Sequence, residues 1–93
     1  MRIRWTIPAV DDLEGIKRWM EIHYPHLAEK TVRGIYERVL SLKRWPDRGR
    51  PGHMEGTREL VLAPLPYIVV YRIRGECVEI LHIHHGAQSW IER

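Results

Sequence analysis

Apolar and polar residues alternate along this chain in two rhythms. From Arg2 to Thr6 the period is two: Ile3 and Trp5 can face a core while Arg2 and Arg4 face water, which predicts a short strand at or near a sheet edge. From Ala9 the period lengthens. Ala9, Leu13, Ile16 and Met20 recur at helical spacing, with Asp11, Glu14, Lys17, Arg18 and Glu21 on the other face. Thr6 suits the N-cap, Pro8 the first turn, and Asp11 and Asp12 place negative charge where the helix dipole favours it. Tyr24-Pro25 closes this helix, because a residue before proline avoids the α region. Pro25 opens a second, with Ala28, Val32, Ile35, Val39 and Leu42 as its apolar stripe. Gly34 inside it costs about 1 kcal/mol relative to alanine, which close packing against the first helix would explain. So short a linker makes the two helices an antiparallel hairpin.

Breakers crowd Trp45 to Gly52, a predicted loop. Thr57 to Leu62, Tyr67 to Ile73 and Val78 to Ile83 then read as strands, the last two joined through Arg74-Gly75-Glu76-Cys77 as a hairpin. Both hairpin strands are apolar on adjacent as well as alternate positions, the mark of burial on both faces in mid-sheet. Gly86 ends the pattern, and Ala87 to Arg93 is a short tail compatible with a helix. The order β-α-α-β-β-β predicts an α+β fold, a helical hairpin packed on one face of a four-stranded, mainly antiparallel sheet.

Ninety-three residues make a single domain, 1–93, able to bury one core without disulfides or a structural metal. One cysteine, Cys77, is too few for a disulfide framework. Arg2 and Arg4 interrupt any signal-like apolar start and no run reaches membrane-span length, so a soluble cytoplasmic protein without a membrane partner is expected. A net charge of +3 favours an anionic partner such as nucleic acid, the ribosome or an acidic peptide.

Several fragments, in order, carry a resemblance: the opening strand with Trp5, Ala9…Asp12-Leu13, Pro46…Gly49-Arg50 and Gly56-Thr57-Arg58-Glu59-Leu60. Pro66-Tyr67-Ile68-Val69-Val70-Tyr71-Arg72 and Val78-Glu79-Ile80-Leu81…His85-Gly86-Ala87-Gln88…Trp90 complete it. Across essentially its full length the chain resembles the RelE/ParE family of type II toxins, also called plasmid stabilisation proteins. The resemblance implies a small basic toxin neutralised by a cognate antitoxin, whose C-terminal segment wraps the toxin and covers its functional face, with a higher-order toxin–antitoxin complex allowed. RelE-like members cut mRNA in the ribosomal A site, whereas ParE-like members poison DNA gyrase without catalytic residues, so fold alone does not settle the target. An alternative is a catalytically inactive toxin-like module that only binds an antitoxin.

RNA cleavage requires groups that activate a 2′-OH, hold a phosphate and protonate a leaving oxygen. Arg58 is the candidate phosphate clamp and His85 the candidate acid or base. Tyr67, Gln88, Arg50 and Arg72 are the candidate substrate-binding residues. Two positions depart from the nuclease pattern: Ile68 stands where a catalytic arginine falls in RelE-like nucleases, and Gly52 near where some carry a glutamate. Arg58 can equally pair with Glu59 or a nearby carboxylate, and His85 can bond a backbone carbonyl. His82 and His84 have the spacing of a metal pair, but no motif supplies a third ligand from His53, Cys77 or Glu79, so neither metal nor cofactor is expected. Trp5, Trp19 and Trp45 read as packing residues, Tyr71 and Trp90 as core or interface. Arg44, Arg48 and Arg50 read as a solvated loop, phosphate contact being the functional alternative.

Overall fold

The computed structural model describes residues 1–86; the tail from Ala87, with Gln88 and Trp90, lies outside them. Strand β1 (Arg2–Trp5) leads into α1 (Ile7–His23) and α2 (Pro25–Leu40). Two 3₁₀ turns, Ser41–Lys43 and Pro46–Arg48, lead to β2 (Arg50–Pro51), β3 (Arg58–Val61), β4 (Tyr67–Arg74) and β5 (Cys77–His85).

The strands form one five-stranded sheet in the order β1-β5-β4-β3-β2, with β1 parallel to β5 and the other pairs antiparallel. The α+β class and the helical hairpin agree with the sequence reading, but the sheet has one more strand than it gave. Arg50–Pro51 pairs with Arg58–Glu59 at the far edge. Two residues among breakers leave no alternation to detect, and Pro51 has no N–H with which to prolong the ladder.

Both helices pack on one face. Ala9 from α1 and Ile35 and Val39 from α2 meet Leu60, Val69, Tyr71, Val78 and Ile80 in a common buried core. Gly34 does not serve the contact between helices, since only Leu65 of the β3–β4 connection lies near the place of its missing β-carbon.

Thr6 caps α1 by accepting from the Ala9 N–H, and its hydroxyl donates to Ile80 O at 2.6 Å, so one side chain joins helix to sheet. The helix begins at Ile7, which leaves Asp11 and Asp12 beyond its first turn. Asp12 has a tertiary task instead. The β4–β5 register shifts by one residue at Leu81, and β1 has already ended at Trp5 opposite Ile80. Asp12 Oδ2 accepts from the Ile83 N–H at 2.9 Å on this uncovered edge, and lies 3.1 Å from His82 Nδ1. No described helix is long and apolar enough to cross a membrane.

Candidate functional site

Three groups of polar side chains are disposed along β4: two on opposite faces around its middle, at Tyr71 and Arg72, and one at its start, at Tyr67.

In mid-strand, Tyr71 is fully buried and aims its phenol at the loop leaving the helices. Its hydroxyl donates to Pro46 O at 2.7 Å and accepts from the Gly49 N–H at 2.8 Å. A β-carbon at Gly49 would sit 2.7 Å from that hydroxyl, so glycine is what lets the loop close on Tyr71. Burial raises the Tyr71 pKa, opposed by the Gly49 hydrogen bond and the Arg58 charge. Arg58, the cross-strand partner of Tyr71, donates to Gly49 O at 2.9 Å and Asp47 O at 3.3 Å, and pairs with the Asp47 carboxylate at 3.5 Å.

Across the middle, on the face away from the helices, two carboxylates are buried. Arg50 Nε and Nη2 donate to Glu59 Oε1 at 3.1 and 3.0 Å, and the His53 N–H reaches the other oxygen at 3.4 Å. Glu79 accepts from Arg4 and, at 2.6 Å, from Arg72 Nε. The Arg4 hydrogen bond first, then that of Arg72, holds the Glu79 carboxyl down at about 2. Glu79 in turn raises the Arg4 pKa through that same bond. Arg50 and Arg72, expected to bind substrate, thus neutralise carboxylates of their own sheet.

At the start of the strand the hairpin tip and the ends of β4 and β5 enclose an open groove of about 840 Å³. Its wall is mainly apolar, with Ile16, Trp19, Leu27, Leu65 and Ile83, and its rim carries Asp12 and His85. Tyr67 and His85 meet edge to face, ring centroids 5.9 Å apart, and burial raises the Tyr67 pKa. Trp19 is half exposed here and stacks on His23 at 4.3 Å; Trp45, in the loop, is also half exposed. Of the three tryptophans read as packing, only Trp5 lies against the core. Trp19 and Trp45 stand on the surface, because an apolar residue type does not by itself place a side chain inside.

The structure therefore brings Tyr67 and His85 together, and separately Arg50 and Arg72 onto the far face. Arg58 and His85 do not converge. Arg58 pairs with Tyr71 and His85 with Tyr67, four residues along β4, a separation of roughly 13 Å along the strand. His82 and His84 stack at 5.3 Å, yet His82 is engaged by Asp12, and Glu79, one third ligand considered, is held by arginines. Sequence reasoning named Asp12, Glu59 and Glu79 but gave them other partners than those they have here, and it missed the Gly49–Tyr71 contact. For Glu79 a signal existed, because counting outward from the turn at Gly75-Glu76 sets Arg72 directly opposite it.

The comparisons with known proteins now bear on this architecture. Residues 3–90 match the model of the ParE toxin of type II toxin–antitoxin systems, parDE. The chain belongs to the RelE/ParE family of type II toxins. The putative toxin Y4kP of Sinorhizobium fredii is 45% identical to this toxin, over 96% of its chain and 92% of the relative. Toxin RelE2 of Caulobacter vibrioides is 31% identical, over 94% and 97%. Among solved structures, the chromosomal ParDE system of P. aeruginosa superposes with a TM-score of 0.86 at 32% identity, covering 91% of the toxin and 95% of that chain. The RelBE2 toxin–antitoxin complex of Mycobacterium tuberculosis gives 0.67 at 26%, covering 90% and 95%. The toxin shares with these structures the helical hairpin on its sheet, and its surface groups are what remain to be assigned a task.

Proposed function

We propose that this cytoplasmic toxin is silenced by a cognate antitoxin seated in the groove at the hairpin tip, and that once released it acts on DNA gyrase by binding rather than by cutting mRNA. The carrying observation is the roughly 13 Å between Arg58 and His85 along β4. A phosphate clamp and an acid–base group acting on one scissile phosphate must lie within hydrogen-bond reach of the same few atoms. Arg58 is also committed to Asp47 and Gly49, and Ile68 occupies the position of the RelE-like catalytic arginine. For the antitoxin, support comes from the groove itself: a part-open apolar trough between helices and sheet suits an amphipathic segment of a partner chain. The neighbouring ParDE and RelBE2 structures are toxin–antitoxin systems, in keeping with this assignment.

Expression of the chain alone in bacteria arrests growth on this reading, and co-expression of its antitoxin restores it. The purified toxin inhibits gyrase supercoiling, while messages in arrested cells keep their 5′ ends. Arg58→Ala and His85→Ala variants that still fold stay toxic. New mRNA ends at codon boundaries, lost in those two variants, would instead establish the nuclease reading.

A further inference from the structure

The loop between α2 and β2 combines features that the toxin–antitoxin assignment does not absorb. Trp45 is 56% exposed. The Arg44 guanidinium carbon lies 5.3 Å from the indole centroid. Arg44, Trp45, Pro46, Asp47 and Arg48 line an open concavity of about 640 Å³. The local charges do not cancel: Asp47 is paired with Arg58 and Arg50 with Glu59, while Lys43, Arg44 and Arg48 have no carboxylate partner among the described residues. The loop is also held in place, since the Pro46, Asp47 and Gly49 carbonyls are taken by Tyr71 and Arg58, and Arg48 donates to the Ser41 hydroxyl at 2.9 Å.

We propose that the Lys43–Arg48 loop is a contact surface for single-stranded nucleic acid, with a base laid on Trp45 and the flanking phosphates held by Arg44 and Arg48. An acidic protein segment would be satisfied by the cations alone. An exposed indole between two arginines adds a stacking face, which every nucleobase can use. Anchoring by Tyr71 and Arg58 means that the ordering cost of the loop is met in folding, not in binding. The inference does not depend on which macromolecule the toxin disables.

The test uses the full-length toxin and a fluorescein-labelled oligothymidine of about 12 nucleotides, read by anisotropy between about 50 and 200 mM salt. Trp45→Ala should weaken binding by at least about fivefold, the lower end of base–aromatic stacking, and Trp45→Phe should restore most of it. The double variant Arg44→Ala/Arg48→Ala should lower the slope of log K against log salt by about 1.4. Thermal melts matching the wild type confirm that each variant is folded, as expected for exposed side chains. Absence of binding at about 50 mM salt, or a Trp45→Ala affinity within about twofold of wild type, overturns the proposal. So does displacement of the oligonucleotide by poly-glutamate of equal charge as efficiently as by unlabelled oligothymidine, which would make the partner an acidic protein segment.

Discussion

The middle and the start of β4 are built on opposite plans. At Tyr71 a buried phenol and an arginine occupy the loop's backbone carbonyls, and the outcome is a fixed surface bearing cations and an indole. At Tyr67 the chain leaves an apolar trough under the hairpin tip, walled by half-exposed Trp19, Tyr24 and Leu27. The middle has its internal polar demands met and presents charge outward. The start withholds apolar surface from its own core, and such a surface gains most when another chain covers it. One strand thus carries an anchored, charged region and an open, apolar one.

The sharpest way to break this contrast is at Gly49. Gly49→Ala forces a β-carbon against the Tyr71 hydroxyl and Glu59 O, and should cost about 3 kcal/mol, the sum of overpacking and a lost buried hydrogen bond, measured by urea denaturation. A change below about 0.5 kcal/mol would mean the loop is not anchored as described. At the trough, Trp19→Ala should weaken antitoxin binding by about 2 kcal/mol, roughly thirtyfold, as expected of an interfacial tryptophan, while barely moving the toxin's melting temperature. Calorimetric titration with the antitoxin checks it, and an unchanged affinity would remove the partner from this end.

On the sheet's other face, the Glu79 clamp gives a pH test. Its folded carboxyl sits at about 2 against an ordinary 4.5, so its contribution is complete above about pH 5 and is lost as pH falls towards 2. Glu79→Gln should therefore lower stability at neutral pH and flatten the acid limb of a melting-temperature profile, with both regions of β4 responding alike. The smallest effect concerns Gly34, whose missing β-carbon faces only Leu65 at 3.9 Å. Gly34→Ala should stabilise the toxin by up to about 1 kcal/mol with antitoxin affinity unchanged, which calorimetric melting and titration check.

Much of the framework was legible because it rests on local periodicity. The Ala9–Met20 and Ala28–Leu42 stripes and the doubly apolar strands at Tyr67 and Val78 each announce burial within a few residues. What escaped depends on distance along the chain. Asp12 acquires its role only because Leu81 shifts the register some seventy positions later and exposes the Ile83 N–H. Arg58 suited a phosphate ligand or the partner of a nearby carboxylate, and its contacts with Asp47 and Gly49 depend on a loop that folds back to it. Trp19 and Trp45 carry no mark that separates a surface indole from a core one.

Pro51 closes the sheet on one side in a way that matters for a protein stored beside its partner. A last strand of two residues, one without an N–H, offers no template on which a second molecule could extend the ladder. A chain adding itself as a further strand finds a longer border along β1, where Arg2 is exposed while Arg4 is already paired with Glu79.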